Sequence, residues 1–108
     1  MEKKFGRGDI IWIEFGPTRG HEQSGRRPAL VISPSEYNEK ANLMLACPIT
    51  SKVKGYPFEV PINRKIKGVV LSDQIRSIDW KDRKAKYIET ISANEFNKIK
   101  ENLRLLIP

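Results

Sequence analysis

Hydrophobic and polar residues alternate along most of this chain in short runs. Residues 9–15 (DIIWIEF) are rich in β-branched and aromatic side chains, a composition that predicts a β-strand. Alternate residues of a strand point to opposite faces, so Ile11 and Ile13 share one face and Ile10 and Trp12 the other.

Further segments show the same short apolar runs between glycine, proline and basic turns, and they predict strands over residues 28–33, 43–50, 57–62, 69–78 and 87–91. Pro48 near the end of its run predicts an edge strand or a bulge, since proline cannot donate to a β-ladder. In the run 69–78, Ser72, Gln74 and Arg76 alternate onto one face, and Asp73 falls on the apolar one. A carboxylate there needs a partner, or a bulge that turns it outward.

Two helices are predicted. Residues 35–42 favour one or two helical turns with Ser35 as the N-cap. Residues 92–95 (SANE) form a capping box, in which the Ser92 hydroxyl and the Glu95 carboxylate each bond the other residue's backbone amide. Apolar residues then recur at helical spacing, and the opposite side carries polar residues. The stripe is Phe96, Ile99, Leu103 and Leu106; the polar side carries Lys98, Glu101 and Asn102.

Many short strands with one closing helix predict a small, strongly bent β-barrel with an appended helix, although element order alone also allows an open α+β sheet. The 108 residues contain no internal repeat or interior linker, so a single domain over residues 1–108 is expected. No segment has the pattern of a membrane span or a targeting signal. The default expectation is therefore a cytoplasmic protein.

The cysteine and histidine counts exclude several classes of protein. One cysteine, Cys47, cannot form an internal disulfide, which argues against a disulfide-stapled secreted scaffold. One histidine, His21, removes most zinc sites and a two-histidine ribonuclease mechanism. Cys47 stands among apolar neighbours and is expected in the core, unlike a reactive thiolate.

The net charge of +7 in so small a domain favours an anionic partner, with a solvated basic surface as the alternative. Basic turns at residues 51–56, 63–68 and 81–86 provide a possible rim. Tyr56 beside Gly55 is the best candidate for an exposed stacking platform, whereas Phe58 is expected to be buried.

The long polar stretch 16–27 (GPTRGHEQSGRR) is the most informative segment. Arginine suits phosphate, because its planar fork offers two donors to two oxygens, and a nearby glutamate can orient it. A mobile polar hairpin loop is the alternative interpretation. Thr50, at the end of a predicted strand, can donate to a phosphoryl oxygen or simply bond its own backbone.

Three blocks of the sequence together resemble a known family. They are GDIIWIEFGPTRGHEQSGRRPALVISP, CPITSKVKGYPFEV and GVVLSDQIRSIDW. Their order and residues are similar to those of the MazF/PemK (Kid-type) toxins of prokaryotic toxin–antitoxin systems. The resemblance covers nearly the whole chain, from Arg7 to Pro108.

The resemblance implies a mainly β fold, an SH3-like barrel with short helices and a C-terminal helix, assembled as a symmetric homodimer. It implies a sequence-specific endoribonuclease that needs no metal or other cofactor and cuts single-stranded RNA, mainly messenger RNA. The products carry a 2′,3′-cyclic phosphate and a 5′-hydroxyl. It also implies an antitoxin whose acidic C-terminal segment lies along the RNA groove, consistent with the basic charge.

The resemblance also implies roles for single residues. Arg27 is the main catalytic residue, Thr50 stabilises the phosphorane oxygens, and Glu22 holds Arg27 or accepts a proton. Family members vary at positions 21 and 26. The expected RNA contacts are Gln23, Arg26, Lys54, Tyr56, Gln74 and His21.

A metal-free mechanism is chemically reasonable, because RNA supplies its own nucleophile, the 2′-hydroxyl. Arg27 suits charge stabilisation and not general base catalysis, since its guanidinium does not deprotonate. Proton transfer then falls to Glu22, His21 or the substrate. Two other functions remain: a non-enzymatic toxin of the same fold that poisons gyrase, and a nucleic-acid-binding barrel without activity.

Overall fold

A computed structural model of the protein describes residues 4–14 and 25–108. Within them it contains seven strands and two helices. The strands are β1 (Asp9–Glu14), β2 (Arg26–Val31), β3 (Met44–Thr50), β4 (Glu59–Asn63), β5 (Lys67–Leu71), β6 (Arg76–Ile78) and β7 (Lys86–Thr90), and the helices are α1 (Ser35–Ala41) and α2 (Ala93–Leu106).

The strands form one curled antiparallel sheet in the order β4-β5-β3-β2-β1-β7, with β6 pairing the other end of β3. Each face of the sheet carries its own apolar cluster, and Ile10 and Ile11, which strand alternation places on opposite faces, belong to different clusters. Ile10, Cys47 and Ile49 belong to the cluster that α2 covers through Phe96 and Ile99. The cluster on the other face contains Ile11, Ile13, Ala29, Val31, Met44, Ala46 and Ile78.

The second strand starts two residues earlier than predicted, so Arg26 and Arg27 lie in β2 and not in the polar loop. Arg26 pairs with Glu14 and Arg27 with Ile13. Sequence patterns favoured a loop because both side chains are charged, but their exposed positions at the strand end accommodate the charge. The cross-strand ladder with β1 fixes the backbone of both arginines.

Of the two settings predicted for Pro48, an edge strand or a bulge, the structure does not show the edge strand. β3 is central: Pro48 pairs with Ala29 of β2, and on its other side β3 changes partner from β6 to β5. The last β6 pair is at Ala46 and the first β5 pair is at Ile49. A residue without an N–H therefore stands in the interval where the ladder on that side is interrupted.

The predicted strand 69–78 is in fact two strands, β5 and β6, separated by a turn. The amide of Gln74 donates to the carbonyl of Leu71 across this turn (3.0 Å), and Asp73 is exposed. The turn removes the conflict of a carboxylate on an apolar face. It also means that Ser72, which is buried, does not share a strand face with Gln74 and Arg76.

The second helix begins as predicted. The amide of Glu95 donates to the Ser92 hydroxyl (3.1 Å), and the amide of Ser92 donates to the Glu95 carboxylate (2.8 Å). Asn102 does not face solvent as predicted: it is buried and donates to the Ser72 hydroxyl (3.0 Å). The helical stripe is thus wider than its apolar residues alone indicate, because a hydrogen-bonded amide extends it.

Ser35 is not the N-cap of the first helix. That position belongs to Pro34, which makes no side-chain capping bond, and Asn42 ends the helix with a φ of 57°. The helix is held instead by the buried Asn38 side chain, which donates to the carbonyl of Phe5 (2.8 Å). Of the helices among the residues described, none has the length and apolar character to span a bilayer.

Candidate functional site

Arg27 and Thr50 come from distant parts of the sequence, and the sheet brings them together. In the β2–β3 ladder Ala29 pairs with Pro48 and Leu30 with Cys47. Continuing this register by two residues from the first pair sets Arg27 opposite Thr50, on one face of the sheet. The expectation that one phosphate can contact both residues therefore agrees with the strand pairing.

An open cavity of about 490 Å³ has Arg27 and Thr50 in its wall. Three further predicted residues, Lys54, Tyr56 and Gln74, line the same cavity. Tyr56 is 61% exposed, as predicted, and the Lys54 ammonium lies 6.0 Å from the centre of its ring. The cavity thus combines cations, a hydroxyl, an amide and an exposed aromatic ring, which is the chemistry that suits a single nucleic-acid strand.

Other predicted residues are not brought into this cavity. Arg26 is exposed, and its guanidinium lies 5.0 Å from the centre of the Trp12 ring. Arg27, the next residue of the strand, lines the cavity, whereas Arg26 does not. Glu22, Gln23 and His21 lie outside the described residues, and their predicted roles stay predictions.

The Thr50 side chain makes the local backbone bond that is the structural alternative to a catalytic role. Its Oγ1 accepts from the amide of Lys52 at 3.1 Å. A hydroxyl accepts and donates at once, so this bond fixes the oxygen and leaves its proton for another acceptor. The structural and the functional interpretations of Thr50 are therefore compatible.

Glu59 is a cavity residue that the sequence patterns did not single out. Its carboxylate accepts from the amides of Lys54 (3.1 and 3.2 Å) and Gly55 (2.9 Å). Gly55 has a φ of 78°, which a residue with a side chain adopts less readily. Glu59 thus fixes the backbone that carries Lys54 and Tyr56. The sequence signal was an acid shortly after a glycine turn, a pattern too common to stand out.

The charge of the cavity is mainly positive. Lys52 and Arg76 join Arg27 and Lys54 in its wall, and the carboxylate of Glu59 is occupied by backbone amides. Among residues 4–14 and 25–108, none of these four cations forms an ion pair with a carboxylate. The sequence pattern identifies Lys52 as part of a basic turn and Arg76 as part of a strand face. It does not show that both side chains point into this cavity.

Cys47 and Trp80 are structural. Cys47 is buried as predicted, and burial, with a smaller contribution from the charge of Asp73, raises the pKa of its thiol to about 12. Trp80 donates its indole N–H to the carbonyl of Asn38 (2.9 Å) and meets Phe5 edge to face. Phe58 is half-buried. Within the described ranges, no group of three or more His, Cys, Asp or Glu side chains is placed to hold a metal ion.

Comparisons with known proteins agree with this geometry. Residues 6–107 match the family described as PemK-like, MazF-like toxin of type II toxin–antitoxin system. The endoribonuclease toxin MazF of Escherichia coli (strain K12) is 46% identical over 101 residues, 93% of this chain and 91% of that protein. Endoribonuclease PemK of Escherichia coli is 32% identical over 94% of this chain and 80% of that protein.

Solved structures give the same result. MazF of Deinococcus radiodurans (Form-I) superposes with a TM-score of 0.85 at 44% identity, over 98% of both chains. A MazE–MazF structure from the same organism (Form-II) reaches a TM-score of 0.91 at 44% identity, over 98% of this chain and 97% of that one. The predicted fold class, mainly β and barrel-like with two helices, is thereby confirmed. By sequence and by fold, the chain belongs to the PemK-like, MazF-like toxins of type II toxin–antitoxin systems.

Proposed function

We propose that this chain is the toxin of a type II toxin–antitoxin system and cuts single-stranded RNA, chiefly messenger RNA, in the cytoplasm. Its membership of a family whose curated relatives are named endoribonucleases supports the reaction class. The observation that carries the proposal is the shared cavity: Arg27 and Thr50 lie in one open wall with cations and an exposed tyrosine. Recognition of particular bases would come from the same wall.

The proposed reaction is an internal transesterification of RNA. The 2′-oxygen forms a bond to the adjacent phosphorus while the bond from phosphorus to the 5′-oxygen breaks. One proton leaves the 2′-hydroxyl and one is delivered to the 5′-oxygen. The products are a 2′,3′-cyclic phosphate and a 5′-hydroxyl, and no water or metal ion takes part in the balance.

Arg27 is proposed to stabilise the negative charge that builds on the phosphorane oxygens. Its guanidinium offers two parallel donors, which match two phosphoryl oxygens. The Thr50 hydroxyl donates to the same group, since its oxygen is already held by the Lys52 amide. Fixed donors aimed at developing charge accelerate many reactions of this kind more than any other single effect does.

Lys54, Tyr56 and Gln74 are proposed to hold the RNA strand on this wall. Base stacking on Tyr56 requires an unpaired base, because a duplex keeps its bases stacked on one another. The Lys54 ammonium attracts phosphate, and the Gln74 amide can bond a base edge. This arrangement favours single-stranded over double-stranded substrate.

Proton transfer is proposed to use Glu22, His21 or the substrate itself, with Gln23 and Arg26 as further RNA contacts. Glu59 is the carboxylate among the described cavity residues, but it accepts bonds from two backbone amides. Those bonds hold both of its oxygens against the loop, so a positioning role suits it better than that of the base.

An acidic antitoxin segment is the proposed inhibitor. Solved relatives include MazE–MazF complexes, and the positive wall of this cavity suits a segment rich in Asp and Glu. The chain is further proposed to act as a homodimer, as the family resemblance implies.

One experiment tests the reaction class: the purified protein is incubated with a long single-stranded transcript in the presence of EDTA. Discrete cuts with 5′-hydroxyl and 2′,3′-cyclic phosphate ends are expected, and mapping them gives the recognised bases. Intact RNA with shifted mobility would indicate an RNA-binding barrel. Intact RNA together with stabilised gyrase–DNA cleavage complexes would indicate a gyrase poison.

A further inference from the structure

A second cavity, of about 360 Å³, also has Arg27 and Thr50 in its wall. Its other walls include Trp12 and the segment from Lys65 to Lys67, none of which lines the first cavity. The Arg27–Thr50 pair therefore lies where two cavities meet. An RNA strand that places one phosphate on Arg27 and Thr50 can therefore extend into one cavity in each direction.

The backbone beside this second cavity is packed tightly against Thr50. Gly68 has a φ of 150°, and a Cβ added there would lie 2.3 Å from the Thr50 carbonyl oxygen. Only a residue without a side chain allows the start of β5 to approach Thr50 so closely. The β4–β5 turn, residues 64–66, comes directly before β5. It is held in place because the amide of Lys65 donates to the Glu89 carboxylate at 2.8 Å. Its position relative to Thr50 is thus fixed.

Three cations lie in this turn or directly after it, and their surroundings differ. Arg64 bonds Glu95 through Nε (2.9 Å), and its Nη1 lies 3.7 Å from Glu89. Lys65 and Lys67 are exposed, and neither ammonium group pairs with a carboxylate of the residues described. Two cations on a fixed turn therefore remain available to an anion that enters the cavity.

An aromatic platform completes the cavity wall. Trp12 is half-buried, and the Arg26 guanidinium covers its ring at 5.0 Å. A stacked Arg–Trp pair offers flat surfaces for a nucleobase, and such stacking tolerates any base. Lysines for phosphates and a stacked pair for a base are the combination found in grooves that bind single strands.

We infer that this second cavity binds the RNA on the side of the scissile phosphate opposite to the Tyr56 wall. Lys65 and Lys67 contact backbone phosphates there, and the Arg26–Trp12 pair stacks a base. The inference rests on the proposed function, since it extends the same RNA strand beyond Arg27 and Thr50.

The test uses RNA oligonucleotides that contain a mapped cut site and carry a 2′-deoxy nucleotide at that site, so that they bind without being cut. One series is lengthened stepwise on the 5′ side and another on the 3′ side, and affinity is measured by fluorescence anisotropy. The unsubstituted chain is expected to gain affinity on both sides. In the variant Lys65→Gln/Lys67→Gln, the gain on one side falls by on the order of tenfold.

Salt dependence gives a second readout of the same contacts. Each phosphate contact to a single strand contributes about 0.7 to the slope of log affinity against log salt, so losing two lowers the slope by about 1.4. The matched control is Lys98→Gln/Lys100→Gln, which removes the same charge from exposed positions on α2. The control is expected to keep the length-dependent gain on both sides.

The outcomes separate the two proposals. If the lysine variant keeps the full gain on both sides while the unsubstituted chain cuts RNA, the second subsite is wrong and the proposed function stands. The same holds if the variant loses affinity only for an acidic peptide. If the unsubstituted chain neither binds nor cuts RNA, the proposed function is wrong, and the subsite with it.

Discussion

Arg27 and Arg64 are the same residue type in two contrasting regions. Arg64, at the corner between the β4–β5 turn and α2, bonds the Glu95 carboxylate through Nε and Nη2 and lies near Glu89. Arg27, in the cavity wall, is exposed and forms no ion pair with any residue the structure describes. Among the residues described, carboxylates of the fold bind the Arg64 guanidinium and none binds that of Arg27.

The contrast shows why the net charge of +7 was a weak guide on its own. The net charge does not distinguish a cation that bonds a carboxylate of the fold, such as Arg64, from a cation that lines a cavity, such as Arg27. What distinguishes them is whether a carboxylate of the same chain lies within reach. The β1–β2 ladder positions the backbone of Arg27, while no carboxylate of the described residues forms an ion pair with its side chain.

Replacing each arginine by lysine tests this contrast and has the largest expected effect. Arg27→Lys keeps the charge but loses the fork, so RNA cleavage is expected to slow on the order of 10²-fold or more. Arg64→Lys is expected to lower the melting temperature while the folded protein cuts RNA at the normal rate. Single-turnover cleavage and thermal unfolding measure the two effects. Equal cleavage rates for the two variants would contradict the assignment of Arg27.

The hydroxyl of Thr50 sharpens the comparison within the cavity. Thr50→Val preserves shape but removes both the donor to the phosphate and the acceptor for the Lys52 amide. Cleavage is expected to fall about tenfold, the size of one hydrogen bond to a charged group. Thr50→Ser keeps the hydroxyl and should retain most activity. A valine variant as fast as the unsubstituted protein would show that the hydroxyl serves only the backbone.

Glu59 gives a prediction whose sign decides between two explanations. Removing an acid from a basic cavity should tighten RNA binding if only charge matters. We expect the opposite: Glu59→Ala frees the Lys54 and Gly55 amides and weakens binding roughly fivefold, because the loop that carries Tyr56 is no longer fixed. Glu101→Ala, on the exposed side of α2, is the charge-matched control. Tighter binding by Glu59→Ala would rule out the positioning role.

The ion pair between Arg64 and Glu95 predicts that the stability of the fold depends modestly on pH. The bond from Arg64, with a smaller contribution from the Ser92 amide, lowers the pKa of Glu95 from 4.5 to about 2. A carboxyl with a depressed folded-state pKa stabilises the fold above its unfolded pKa and loses that contribution as pH falls through the folded one. Thermal unfolding between about pH 5 and pH 2 should show a smaller decline for Glu95→Gln than for the unsubstituted chain. Identical declines would mean that this ion pair contributes nothing measurable.

Local sequence was sufficient wherever one segment decides its own structure. The capping box at Ser92 and Glu95 starts α2 as predicted, because its bonds join residues three apart. The alternation in the first strand correctly separated Ile10 from Ile11 and Ile13, since side chains of a strand alternate whatever it pairs with. The apolar setting of Cys47 likewise gave its burial.

Local sequence was insufficient wherever a partner from another part of the chain decides. Asn102 is polar and was placed on the solvent side, but Ser72 gives it a buried hydrogen bond. The pattern around Pro48 predicts an edge strand or a bulge, and only the pairing shows that β3 is central and changes partners around this residue. The alternating run 69–78 is broken by a turn, because β5 and β6 pair with different ends of β3.

The candidate site divides in the same way. The residue types that suit RNA, Arg27 and Thr50 among them, were identifiable from the sequence through motif and resemblance. Their convergence was not, because the pairing of β2 with β3 brings together residues more than twenty positions apart. Residues 63–68 were already recognisable as a basic turn, but the role of Glu59 and the place of Lys65 and Lys67 beside Thr50 became visible only in the folded chain. A sequence determines which chemical groups exist and how each short segment folds, whereas only the tertiary structure determines which charges neutralise each other and which are left for a ligand.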